Sequence, residues 1–246
     1  MRAQLDDLNR VAADITDHLH RALADLFRIR THVLALLDVV EREGQGHRPS
    51  RAHLGGIRGS LQACLRHPDH PMDRIGVATA VDYLVDSPYW MEWWGYDGQG
   101  DLEYVGHSLN PRQDTFYDYS SRSWFSVPAT LGTTSVIGPY VDVSGINSYT
   151  YTVTISVPIS TAHGFAGVTG ADILADRFEG FLLAVDRDRS PATLINADRR
   201  VIASNTSRHL PGELLPGSDM AAWTRLEVAQ DVFPHGRSWQ LVTPTA

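Results

Sequence analysis

Between Tyr117 and Asp172 the chain gathers side chains of two opposite hydrogen-bonding polarities. Tyr117, Arg122 and Trp124 carry O–H or N–H donors suited to an anion, whereas Asp142, Asp172 and Tyr140 carry oxygens suited to a cation. A zwitterionic amino acid presents both charges on one small molecule. Arg122 can meet its carboxylate with two parallel hydrogen bonds, and the Trp124 ring N–H or the Tyr117 hydroxyl can add a third. Asp142, Asp172 and the Tyr140 hydroxyl or ring can take the ammonium, the ring by a cation–π contact. Hydrogen bonds to charged groups contribute about 1.5–3 kcal/mol each before ordering costs, so about five or six of them reach a micromolar dissociation constant. Two acids left without a cation repel each other and any second anion, which discriminates an amino acid from a simple acid. Each residue also has a purely structural reading: Asp172 as a cap for the helix that follows it, Arg122 in a surface salt bridge, Trp124 in the core.

Composition bounds the alternatives. The 246 residues carry a formal net charge of -8 and no clustered basic face, which argues against nucleic acid as a direct partner. Cys64 is the only cysteine, so the chain forms no internal disulfide. No apolar run approaches the ~18 residues that span a bilayer. The first residues, Met1-Arg2-Ala3-Gln4-Leu5-Asp6-Asp7, lack the apolar core of a secretion signal, so a cytoplasmic location is expected. His67-Pro68-Asp69-His70 is read as a polar loop rather than a metal site, because Pro68 breaks any helix that would align the imidazoles. Asp97-Gly98-Gln99-Gly100-Asp101 is read as a hairpin turn, since the further acids and closing Glu of a calcium loop are missing. No cofactor is called for. Nucleophile elbow, phosphate loop and zinc helix are all missing, so an enzyme would have to rely on an acid pair such as Asp142 and Asp172.

The elements that must position these residues follow from periodicity. Apolar residues recur in steps of three and four from Leu5 to Val40, which predicts a helix from about Ala3 to Arg42, stopped by Gly44, Gly46 and Pro49. Leu23, Phe27, Leu34 and Leu37 widen its seam, so the helix is expected to pack on its own domain with one side and on a second subunit with the other; the alternative is that it only covers a sheet. A short helical turn is predicted near Leu61 to Leu65. Strands are predicted at Gly76 to Ala80, in the aromatic run Trp90 to Tyr96, and at Ser135 to Val143, Tyr149 to Val157 and Phe165 to Ala171. In the fourth of these, Val153, Ile155 and Val157 alternate with Thr152, Thr154 and Ser156, the pattern of one buried face. Gly164 fits a hairpin, so three antiparallel strands in a row would carry Tyr140, Asp142 and Asp172. A helix over Leu174 to Val185 then leads to a smaller group of strands: Thr193 to Ile195, Val201 to Ala203, Thr224 to Val232 and Ser238 to Val242. The fold class is α+β, with a long helix over residues 1–46, a first sheet module over 47–173 and a second over 174–246.

The central wording is Arg122-x-Trp124-Phe125, then Ile137-Gly138-Pro139-Tyr140-x-Asp142, then Thr152 through Ile159, then Gly167-Val168-Thr169-Gly170-Ala171-Asp172-Ile173. Together with the order of elements, it resembles the membrane-distal module of the double Cache sensor domains, which are PAS-like. Leu194 through Ser204 resembles the second sheet of that family. The resemblance implies a pocket of the amino-acid-binding subgroup, with Tyr117, Arg122, Trp124, Tyr140, Asp142 and Asp172 on the binding positions. Phe125 stands where that subgroup has a Tyr, which removes one donor. A related subgroup that binds amines lacks the Arg, so Arg122 favours a ligand with a carboxylate. Residues facing the ligand's side chain are expected between Trp90 and Asn110. Relatives sit between membrane helices and signal inwards; this chain resembles a free-standing version whose signal leaves through an unidentified partner protein or a change in self-association, including a homodimer through the first helix. A purely structural dimerisation protein is the remaining alternative.

Overall fold

The computed structural model describes residues 2–42, 48–142, 150–186, 188, 190–218, 222–233 and 237–245. The N-terminal periodicity becomes α1 (Arg2–Arg42), 41 residues and about 60 Å at ~1.5 Å per residue. Gly44 and Gly46, the expected stop, lie outside the described residues. The buried stripe of α1, including Leu8, Ile15, Leu19, Leu26, Ile29, Val33 and Leu37, belongs to one apolar core shared with both sheets. Each such residue contributes about 1.5–3 kcal/mol by leaving water. Of the residues that widen the seam, Leu37 is itself buried in this core and Leu23 and Leu34 pack against it, while Phe27 stays exposed under the Arg30 guanidinium.

After α2 (Arg51–Leu54) and α3 (Ile57–Arg66), longer than the single turn expected there, the first sheet is built from β1 (Arg74–Thr79), β2 (Met91–Tyr96), β3 (Leu102–Tyr104), β4 (Ser135–Asp142), β5 (Thr150–Thr161) and β6 (Gly164–Leu174). Its order is β3-β2-β1-β6-β5-β4, and every pairing is antiparallel. The three strands expected in a row are β4, β5 and β6, and β1 inserts beside β6 to join them to the aromatic hairpin. Helix α4 (Ser123–Leu131) lies over β4, β5 and β6. Alternation divides the sheet into two faces. Ile75, Val77, Val153, Ile155, Val157, Ala171 and Ile173 join α1 in the core. Arg74, Gly76, Thr154, Gly170 and Asp172 take the other face by register.

Helix α5 (Ala175–Leu183) leads to the second sheet: β7 (Thr193–Ile195), β8 (Val201–Ser204), β9 (Trp223–Val228) and β10 (Trp239–Pro244), in the order β8-β7-β10-β9. The third of these is shorter than the predicted Thr224 to Val232, because Ala229 adopts φ 51° and the Val232 N–H donates to the Ala229 carbonyl at 2.9 Å, closing a turn. The expected class, α+β with a long first helix and two antiparallel sheets, is the observed one.

Candidate ligand-binding site

Cross-strand register assembles the site. Asp172 of β6 stands opposite Arg74 of β1 on one side and Thr154 of β5 on the other, so three polar side chains from adjacent strands share one face. The Thr154 hydroxyl donates to Asp172 Oδ1 at 2.6 Å, and the Tyr140 hydroxyl lies 2.5 Å from the same Thr154 oxygen. The Trp93 indole Nε1 donates to Asp172 Oδ2 at 3.1 Å. The Arg74 Nη1 ion-pairs with Asp142 Oδ2 and stands 4.0 Å from Asp172 Oδ2, with its side chain only 3% exposed.

The position of Trp93 depends on two glycines. Gly76 and Gly170 are direct cross-strand partners, and the indole lies across both. A Cβ added to Gly76 would fall 2.2 Å from Trp93, and one added to Gly170 would fall 2.7 Å from it. Only residues without side chains leave this floor flat enough to aim the ring nitrogen at Asp172.

The opposite wall comes from the excursion between β3 and β4. Tyr119, in a short 3-10 turn at Tyr119–Ser121, is fully buried and its hydroxyl donates to the Thr79 carbonyl at 2.8 Å. The same hydroxyl accepts the Trp90 N–H at 3.2 Å, which fixes the excursion to β1 and the approach to β2. Asp118 caps that turn by accepting from the Ser120 N–H at 3.0 Å. Tyr117, stacked on His107 at 4.2 Å, and Trp124, 5.4 Å from Trp93, then close the cavity.

Burial dominates the electrostatics. The Asp172 carboxyl is pushed up to about 6 by loss of water and by Asp142, against the opposing pull of Arg74, Thr154 and Trp93. The Tyr140 hydroxyl is raised far above its ordinary value by burial and then by Asp172. Burial also raises the Tyr117 hydroxyl. His107 is held below the usual imidazole range by burial, with Asp142 working in the opposite sense.

Of the seven residues singled out from sequence, Tyr117, Trp124, Tyr140, Asp142 and Asp172 line one cavity of about 20 Å³. Arg122 is exposed, its guanidinium carbon 5.3 Å from the centre of the Tyr117 ring. Phe125 packs behind the wall against Tyr119, Trp124 and Phe165. Trp124 is both buried in this apolar cluster and part of the lining. Asp172 does not cap α5; Asp73 instead ties down the start of that helix, its oxygens accepting from the Leu174 N–H and the Arg177 Nε, both at 2.8 Å. The segment between Trp90 and Asn110 supplies Met91, Trp93, Val105 and His107. Sequence reasoning missed Arg74 and Thr154, and reached Trp93 and His107 only as members of the range Trp90 to Asn110. The available signal for Arg74 was a lone charge opening the apolar strand Arg74–Thr79. Larger clefts lie elsewhere, one of about 600 Å³ between α1 and α3, lined by Arg28, Cys64 and His67, and it holds none of these residues. A metal does not suit the acids, because the Arg74 cation already stands against both of them. Among the described residues no cluster of three or more His, Cys, Asp or Glu side chains is placed to hold one.

Comparison with known proteins agrees with this architecture. Residues 96–179 match the family model "Methyl-accepting chemotaxis protein-like, first PDC sensor domain". The structure is similar to that of "Methyl-accepting Chemotaxis protein X" at 15% identity and a TM-score of 0.69, covering 99% of this chain and 97% of that one. It is similar to the ligand-binding domain of the Pseudomonas aeruginosa PAO1 amino acid chemoreceptor PctC in complex with GABA, at 17% identity and a TM-score of 0.58, over 95% and 94% of the two chains. The extracellular domain of a putative histidine kinase, mmHK1S-Z2, aligns at 13% identity and a TM-score of 0.65, over 99% and 98%. No curated protein matches the sequence. The chain therefore shares its fold, a long helix followed by two antiparallel sheets, with these chemoreceptor and histidine kinase sensor regions. No helix among the described residues is long and apolar enough to cross a membrane.

Proposed function

We propose that this double Cache domain is a ligand-binding sensor whose first sheet recognises an amino acid or a closely related amine. The observation that carries the reading is the convergence of Asp142 and Asp172, from β4 and β6, in one buried cavity walled by Tyr117, Trp124 and Tyr140. A buried carboxylate, Asp172, and a partly buried one, Asp142, beside aromatic rings and hydroxyls suit an ammonium group. The Tyr117 hydroxyl, hydrogen-bonded to Trp124, supplies a neutral donor at the opposite wall, and the Arg122 guanidinium stands against the Tyr117 ring. The chemistry is binding, so the ligand is expected to be recovered unchanged.

Titration calorimetry of the purified chain with each amino acid and with simple amines tests this. A saturable heat that Asp172→Ala strongly weakens, with the fold intact by circular dichroism, supports it; no response to any of them at millimolar concentration overturns it. The exposure of Arg122 favours a second reading, an amine without a carboxylate. In that case simple amines bind as tightly as their amino-acid counterparts. The signal then leaves through a partner protein or through self-association along α1, which light scattering with and without ligand distinguishes.

A further inference from the structure

The proposed ammonium subsite already holds a cation of the protein's own. Arg74 projects from β1, third in the six-strand order, and its guanidinium is ion-paired with Asp142 and within 4.0 Å of Asp172. Its stem runs over Gly95, where an added Cβ would come within 2.7 Å of Arg74 Cγ. The stem is thus packed against the floor, and the guanidinium end reaches the two acids. The cavity left beside it is about 20 Å³, and since a cavity needs about 10–15 Å³ by this measure to hold one water, it has room for a single water and must open further for an organic ligand. An incoming ammonium meets two carboxylates that already share one buried guanidinium.

We propose that Arg74 is the resident cation of this subsite, and that a ligand's ammonium binds by displacing the Arg74 guanidinium from Asp172 while Arg74 keeps Asp142. The inference rests on the amine-recognition reading above and adds its regulation. The empty pocket is held shut by an internal competitor, and affinity is the difference between two cations for the same acid. A competitor of this kind selects for ligands that bring more than a charge. A bare monoamine gains only what Arg74 gives up, whereas a ligand that also engages Tyr117, Trp124 or Arg122 gains contacts that Arg74 does not offer.

The test uses ethylammonium, methylguanidinium and glycine as probes, with calorimetry and thermal melting of the full chain. Arg74→Met is expected to bind ethylammonium at least tenfold more tightly than the parent protein. Arg74→Ala is expected to melt several degrees higher in methylguanidinium, which refills the vacated site, while the parent does not respond. Arg74→Met leaves Asp142 and Asp172 without their counterion and can fail to fold. The charge-balanced pair Arg74→Met with Asp142→Asn covers that case and is also expected to bind ethylammonium more tightly than the parent. Equal or weaker binding of ethylammonium by the folded variants, or no rescue by methylguanidinium, overturns the resident-cation inference. The two failures separate: if the variants bind ethylammonium tightly while the parent ignores glycine and every other amino acid, the resident cation stands and the amino-acid reading falls.

Discussion

The two sheets rest their inner faces on the same apolar core and differ on their outer faces. In the first sheet the outer face carries Arg74, Thr154 and Asp172 side by side, with Asp142 reaching in from β4. In the second sheet an apolar cluster of Ile195, Val201, Leu215 and Val242 forms away from the shared core, with Trp223 against it. A groove of about 430 Å³ beside it, lined by Thr193, Thr206, His209 and Trp223 among others, is far roomier than the cavity around the acids. The proposed site is therefore marked by its charged side chains and not by architecture or empty space. What separates the sheets is the cost of burying charge, accepted in the first and avoided in the second.

Breaking that contrast from either side gives measurable results. The largest effect is expected from Ile195→Ala in the second sheet, which removes a fully buried side chain and should cost about 2–5 kcal/mol of stability in denaturant titration, with ligand affinity at the first sheet unchanged. Asp172→Ala should do the reverse, weakening the ammonium ligand about a hundredfold by calorimetry through loss of a charge-assisted contact of ~1.5–3 kcal/mol and its neighbours.

Acid provides the next test. With Asp172 titrating at about 6, affinity for an ammonium should fall about tenfold per pH unit below that point. The stability of the unliganded protein should move the opposite way. The folded value lies above the unfolded carboxyl's, so the native state holds the extra proton, and Asp172's contribution is present in acid and lost as pH rises from about 4 to about 6. Melting curves of the parent and Asp172→Asn across that window should diverge accordingly. The smallest effect belongs to Arg122→Ala: about a tenfold loss for an amino acid and none for the matching amine, compared by calorimetry. Equal losses for both would remove Arg122 from carboxylate recognition.

Much of this was legible in the sequence for physical reasons. The seam from Leu5 to Val40 marks α1 because a helix repeats every ~3.6 residues, and the alternation from Thr152 to Val157 marks β5 because a strand repeats every two. Tyr140, Asp142 and Asp172 could be brought together because β4, β5 and β6 are consecutive and joined locally. Arg74 could not, because the pairing of β1 with β6 spans nearly a hundred residues and nothing local sets its register. Trp93 reads as core from its type, and it is buried; its second role depends on Gly76 and Gly170 lying directly opposite each other, which again only register reveals. Phe125 and Arg122 sit on the same short segment as Trp124. Yet the start of α4 turns them in different directions, one into the apolar wall and the other towards solvent.

The glycine floor under Trp93 has an optical consequence. An indole whose N–H is bonded to a titrating carboxylate, with a second tryptophan 5.4 Å away, is a chromophore wired to the charge state of its neighbour. Trp93 emission should therefore follow the protonation of Asp172 and the arrival of any cation there, and a Trp93→Phe difference spectrum isolates it from the other tryptophans. The protein carries its own label at the proposed ammonium site.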